Sequence, residues 1–203
     1  EQIIQETLLW KPDTNRTETA ERFRHVLEDL GTTYIKLGQI LSTRPDILPA
    51  EFIEELKQLQ DRVPAMDFET VEEQLASQLP EGIDEHFEHV QSEPLAAASI
   101  GQVHRARMAD GRPCVIKVQR PGIEEKIRSD LDILFLLARF LEATIEEVEL
   151  YTPTAIVEEF QQAILQELDF QKEAANIRTF GQNFEEVDKV TVPEVYQELT
   201  TSK

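Results

Sequence analysis

The hydrophobic period changes once along this chain, near residue 86, and that change requires a helical segment followed by a mixed one. Before it, apolar residues recur at steps of three and four. Phe23, Val26, Leu27, Leu30, Tyr34, Leu37 and Leu41 form one stripe between Glu18 and Ser42, the pattern of an amphipathic helix. Gly31 lies inside that stripe and costs about 1 kcal/mol relative to Ala, so a kink is expected there. Arg44-Pro45-Asp46 stops the helix. A second is predicted from Pro49, with Phe52, Ile53, Leu56 and Leu59 on one face and an end at Val63-Pro64. Asp67 is positioned to cap a third, which carries Val71 and Leu75 and closes at Pro80-Glu81-Gly82.

Beyond the change, strands are predicted over His86 to Gln91, Gly101 to Met108 and Pro113 to Val118, with Asp110-Gly111 as a hairpin turn. Two long helices follow, Ile123 to Glu147 and Pro153 to Phe180, and Val190 to Leu199 returns to strand character. The expected fold class is α+β: a small antiparallel sheet with helices, preceded by a helical extension, with a domain boundary between residues 85 and 86.

Charge excludes some functions. In 203 residues, 40 Asp and Glu outweigh 20 Lys and Arg, a net charge of -20. Nucleic-acid binding needs clustered cations to displace counterions, and anionic lipid attracts basic surfaces, so neither is expected as a direct partner. The single cysteine, Cys114, excludes an internal disulfide and reads as a small buried residue. His86 and His89 fall on opposite faces of the predicted strand, and no metal site is expected. Glu1 begins the sequence and charge soon breaks the first apolar cluster, which predicts no signal peptide. The densest apolar stretch, Ile133 to Leu141, contains Arg139 and is shorter than the roughly 20 residues a bilayer span requires.

The segment richest in chemistry is Ala96-Ala97-Ala98-Ser99-Ile100-Gly101-Gln102-Val103, with Lys117 fourteen residues after Val103. Small residues at a strand-turn-strand junction let the backbone approach phosphate, and a lysine on the next strand supplies a compact cation. The kinase pattern G-x-G-x-x-G-x-V followed by V-A-I-K fits in register, with Ala96 and Ala98 in place of two glycines. Either piece alone also fits a tight hairpin and an edge lysine. A carboxylate partner for Lys117 is available in Glu167-Leu168-Asp169-Phe170-Gln171-Lys172-Glu173. On one continuous helix Glu167 and Asp169 lie about 200° apart, while Glu173 lies about 40° from Asp169. Asp169 and Glu173 can therefore face the same site. Lys36 sits on a mostly apolar helix, where its ammonium either snorkels to water or finds carboxylates.

Taken together these segments resemble the UbiB-like, aarF-domain atypical kinases. Tyr34-Ile35-Lys36-Leu37-Gly38-Gln39 resembles the family's K-x-G-Q signature, followed by Ser42-Thr43-Arg44-Pro45-Asp46 and Leu59-Gln60-Asp61. Ala96 to His104 resembles its alanine-rich loop, Val115 to Gly122 its lysine strand, and Glu167 to Ala174 its acidic helix motif. The resemblance runs from about Glu18 onward.

That resemblance implies a kinase-like N-lobe over residues 86–203, with a family-specific helical extension over 1–85. It implies ATP or ADP with Mg²⁺, held by Ala96, Ala97, Ala98, Ser99, Ile100 and Gly101, with Val103 and Val115 roofing the adenine. Lys117 pairs with Glu173 at the phosphates, and Lys36 and Gln39 point into the pocket near Glu167 and Asp169, where the K-x-G-Q helix blocks peptide substrates. It further implies a role in ubiquinone or related isoprenoid-lipid metabolism, with lipid-pathway proteins as partners, on the cytoplasmic side and peripheral to a membrane through other parts of the protein.

The catalytic-loop aspartate, asparagine and metal-binding aspartate of kinases are missing from this stretch. Asp67-Phe68-Glu69 and Asp169-Phe170-Gln171 lack the glycine of D-F-G, and His104-Arg105-Ala106 lacks the aspartate of H-R-D. The expectation is an N-terminal portion without its C-lobe, in preference to a natural truncation, inactive alone and with no metal ligands of its own. The alternative is a non-catalytic, pseudokinase-like scaffold that binds a lipid-pathway protein or lipid.

Overall fold

The computed structural model describes residues 16–59, 63–79, 81–144 and 152–202. They divide between two compact units, Glu1–Asp61 and Arg62–Lys203. Eight α-helices and one three-stranded sheet are present among the described residues.

In the first unit, α1 (Arg16–Leu30) and α2 (Thr32–Leu41) split the predicted long helix at Gly31, whose φ of 99° suits glycine. The shorter α3 (Ala50–Leu56) packs on both, starting after Pro49 as predicted but ending well before Val63. Arg24 ties α1 to α3. Its guanidinium donates to Glu55 at 3.1 Å and to Glu28 at 2.8 and 2.9 Å. Burial opposes the charge, but these two carboxylates outweigh it and raise its pKa.

The second unit begins with α4 (Phe68–Gln78), capped by Asp67 as predicted: its carboxylate accepts the Thr70 N–H at 2.8 Å. That hydrogen bond holds the Asp67 carboxyl below its ordinary pKa. The one-turn α5 (Ile83–His86) leads into β1 (Phe87–Ala97), β2 (Gly101–Met108) and β3 (Pro113–Gln119), antiparallel in the order β1-β2-β3. Asp110 and Gly111, at φ 87°, turn the second hairpin. Val71 and Leu75 of α4 cluster with Val118 on one sheet face.

β1 does not stop at Gln91. It runs through Pro94 with register shifts between Val90 and Pro94 and between Pro94 and Ala96. It is an edge strand, where a missing N–H and a bulge are tolerated. Ala96 and Ala97 therefore belong to the strand, and the turn is only Ala98-Ser99-Ile100.

The helix α6 (Ile123–Thr144) packs along α7 (Pro153–Glu167), burying Ile127, Leu131, Leu134 and Ala138 on one and Val157, Phe160 and Ile164 on the other. The predicted continuation of α6 to Glu147 lies outside the described residues, as do Gln60, Asp61 and Pro80. No helix among the described residues is long and apolar enough to cross a membrane.

Two expectations are corrected. The single helix Pro153 to Phe180 is two, because Asp169 leaves helical geometry (φ -94°, ψ 93°) and caps α8 (Phe170–Asn183) by accepting the Lys172 N–H at 3.1 Å. Val190 to Leu199 forms no strand. It is irregular until a 3₁₀ turn at Gln197–Leu199. Pro193 removes a ladder donor, and Tyr196 and Leu199 pack instead against the cluster of Leu79, Phe87 and Met108.

Candidate functional site

A cleft lies beside β3, bordered by Cys114, Val115, Ile116 and Lys117. Val103 of β2, Val115 and Lys117 of β3, and Glu173 and Ile177 of α8 line a cavity of about 360 Å³, closed on another side by Tyr196. Lys117 Nζ donates to Glu173 Oε2 at 2.5 Å and lies 4.6 Å from the centroid of the buried Phe170 ring. The two charged side chains remain 41% and 44% exposed, so the pair is worth no more than about 1 kcal/mol to stability. Its geometry matters more for what it leaves open: an ammonium held at the rim of an apolar cavity and accessible to an anion.

The helix break explains how Glu173 reaches Lys117. Gln119, the last residue of β3, donates its side-chain N–H to the Leu168 carbonyl at 2.8 Å. Asp169 then caps α8, Phe170 opens it beneath the ammonium, and Glu173 stands one turn further on. Sequence pattern alone assigns no role to Gln119 or Phe170, although both lie in the motifs above. The signal for Gln119 is a polar residue at the end of a buried strand.

The break also separates the acids. Asp169 was expected to share a site with Glu173, but as a cap it lines a separate depression of about 270 Å³ with Glu124, Arg128 and Gln171. Glu167 ends α7, one turn before α8. Lys36 and Gln39 lie on α2 in the first unit, where Gln39 donates to the Leu59 carbonyl at 3.3 Å. Gly38 of the same motif is a packing residue: a Cβ there would overlap the side chains of Leu59 and Leu27.

The alanine-rich turn is tight. The Ala98 N–H donates to the Gly101 carbonyl at 2.8 Å, and Ser99 and Ile100 are buried. A Cβ on Gly101 would overlap the Val118 carbonyl, so only glycine lets β2 approach β3 this closely. Cys114 also lines the cleft; burial pushes its thiol pKa up, so it is not an activated nucleophile.

Beneath the opposite sheet face runs a fully satisfied polar network. Gln102 accepts the Met66 N–H at 2.8 Å and donates to the Met66 carbonyl at 3.3 Å. Its amide also lies 2.8 Å from His104 Nε2, while His104 Nδ1 lies 2.7 Å from the Gln91 carbonyl. The tautomer consistent with these partners carries the proton on Nδ1, donating to Gln91 and accepting from Gln102.

The fold and the paired lysine define a kinase-like N-lobe, and comparison with known proteins places it. Residues 58–203 match the ABC1 atypical kinase-like domain. The proteins named "Probable protein kinase UbiB" from Pseudomonas aeruginosa (strain LESB58) and Pseudomonas putida (strain W619) are 43% and 41% identical over 175 and 195 residues, which cover 86% and 96% of this chain. The corresponding shares of those proteins are 33% and 36%, so the chain spans about one third of the length of the curated relatives it matches. The solved structure of Rv3197 with erythromycin from Mycobacterium tuberculosis aligns with a TM-score of 0.58 at 32% identity, covering 88% of this chain and 45% of that one. The chain belongs to the ABC1 atypical kinase-like family, and within it is UbiB-like.

Proposed function

We propose that this chain is the nucleotide-binding N-lobe portion of a UbiB-like atypical kinase or ATPase, taking ATP or ADP with Mg²⁺. The observation that carries this is the Lys117–Glu173 pair at the rim of the apolar cleft. Val103 and Val115 offer an apolar wall to a purine, and the resemblance assigns the phosphates to the alanine-rich segment Ala96 to Gly101. Lys117 binds the α and β phosphates, and Glu173, braced by the α8 cap, keeps its ammonium directed. Bound Mg²⁺ would neutralise phosphate charge. Its ligands belong to the part of the relatives that this stretch does not span, and this stretch alone does not turn nucleotide over.

In the same reading, the K-x-G-Q helix that carries Lys36 and Gln39 excludes peptide substrates. The nucleotide chemistry then serves ubiquinone or related isoprenoid-lipid metabolism, at the cytoplasmic side of a membrane and alongside lipid-pathway proteins. The UbiB name of the relatives supports that context.

The test is a thermal-shift titration of the full-length protein with Mg-ADP and Mg-ATP, with Lys117→Ala alongside. Selective binding to the folded state contributes about 2.7 kcal/mol at a ligand concentration 100 times Kd. A saturable rise in Tm that Lys117→Ala abolishes is expected. Identical curves with and without nucleotide in both proteins overturn the reading and leave the non-catalytic scaffold in its place.

A further inference from the structure

We propose that Arg120 is the positioning residue of the alanine-rich turn, holding its peptide groups in the orientation that receives the nucleotide phosphates. This role rests on the nucleotide reading above and deepens it. Arg120 follows β3 immediately and grips the turn twice. Its backbone N–H donates to the Ile100 carbonyl at 2.8 Å, and its Nε donates to the Ala98 carbonyl at 3.1 Å. The other arm of the guanidinium, Nη2, donates to the Pro64 carbonyl at 2.8 Å, just ahead of α4. Strand alternation explains the direction: Val115 and Lys117 face the cleft, whereas Val118 packs on Val71 and Leu75 of α4 and Arg120 continues on that side.

The brace therefore acts from the side of the sheet opposite the ligand cleft. A trans peptide opposes its C=O and N–H. The Ile100 carbonyl is tied in the plane of the sheet by the Arg120 N–H, while the Ala98 carbonyl is drawn to the guanidinium, so the N–H of Ser99 in the same peptide group points the other way. An oriented backbone N–H in a tight turn is a donor suited to an anion. The guanidinium suits this task because its rigid fork matches two carbonyls at once, which a single ammonium cannot. Desolvation lowers its pKa, the cost of holding a half-buried cation on carbonyl oxygens.

The experiment measures Kd for Mg-ADP, Mg-ATP and adenosine by calorimetry on the full-length protein, with Arg120→Ala, Arg120→Lys and Lys117→Ala. Arg120→Ala is expected to weaken both nucleotides about tenfold, or 1.4 kcal/mol, while adenosine affinity stays within about twofold. Arg120→Lys retains charge and stem but not the fork, and is expected to weaken the nucleotides at least about threefold. If Arg120→Ala does not fold, Arg120→Lys decides by the same criterion. Nucleotide affinities equal to wild type, or equal losses for adenosine and nucleotides, overturn the positioning role. Wild type and Lys117→Ala alike failing to bind Mg-ADP overturns the nucleotide reading itself, and this role with it, a result distinct from an Arg120-specific failure.

Discussion

Lys117 and Glu173 are 56 positions apart in sequence, and their side chains meet at 2.5 Å because Gln119 fixes the end of α7 and Asp169 restarts the chain as α8. The pair is close to half exposed, so its contribution to folding is small. Double-mutant analysis of Lys117→Ala and Glu173→Ala by urea unfolding is expected to give a coupling of about 0–1 kcal/mol. Mg-ADP affinity is expected to fall about tenfold or more in the lysine variant. A coupling well above 1 kcal/mol with unchanged Mg-ADP affinity would instead identify a structural pair.

Phe170 supplies the second contact to that ammonium, with the ring centroid 4.6 Å away. Phe170→Leu keeps the buried bulk and removes the ring face. A cation–π contact at an exposed site is worth about 0.5–1 kcal/mol, so Mg-ADP affinity should fall about two- to fivefold, with recovery in Phe170→Tyr. Equal affinity in the leucine and tyrosine variants would limit the residue to packing.

Two glycines are predicted to be intolerant of a methyl group for different reasons. Gly101→Ala meets the Val118 backbone carbonyl, which cannot rotate aside, whereas Gly38→Ala meets the flexible ends of Leu59 and Leu27. Overpacking of this kind costs about 1–3 kcal/mol, with Gly101→Ala at the upper end and Gly38→Ala at the lower. Urea midpoints of the two variants check the order, and a larger loss at Gly38 would contradict it.

Much of the fold was legible because its signals were local. The Asp67 cap, the Asp110-Gly111 hairpin, the glycine break at Gly31 and the apolar faces of α6 and α7 each follow from a few adjacent residues. What the sequence concealed was set by distant partners. The helical stripe runs smoothly through Leu168, and only the Gln119 contact and the Asp169 cap show why the helix breaks there. Val195 and Tyr196 are strand-forming residue types, yet they line the cleft wall and pair with no sheet edge. Of the candidate site, Lys117 and Glu173 are brought together and Asp169 is drawn off by capping. The brace at Arg120 depends on backbone carbonyls, which no side-chain pattern reveals.

Glu142 makes one helix start depend on pH. Thr152, the N-cap of α7, makes no side-chain capping bond, and Glu142 of α6 replaces it by accepting the Thr154 N–H at 2.8 Å and the Thr154 hydroxyl at 2.7 Å. The backbone bond first, and the hydroxyl second, lower the Glu142 pKa. A lowered folded-state pKa means the unfolded chain binds the proton first. The stabilisation is therefore complete above the ordinary glutamate value of about 4.3 and is lost as pH falls through the lower folded value. Stability measured from pH 6 to pH 3 should fall less steeply in Glu142→Gln than in wild type; parallel curves would contradict the capping role.

Cys114 reports on the cleft. Its raised pKa and partial burial predict iodoacetamide alkylation at pH 7.5 slower than for a free thiol. Saturating Mg-ADP should slow it further, because the side chain lines the same cavity. Nucleotide-independent alkylation would place the ligand elsewhere.

The most direct measurement is a calorimetric titration of Mg-ADP into the full-length protein beside Lys117→Ala and Glu173→Gln. The account predicts saturable binding in wild type, affinity about tenfold or more weaker in Lys117→Ala, and a smaller loss in Glu173→Gln, where the ammonium remains without its carboxylate. Equal affinity in all three proteins would contradict the claim that this pair forms the phosphate end of a nucleotide site.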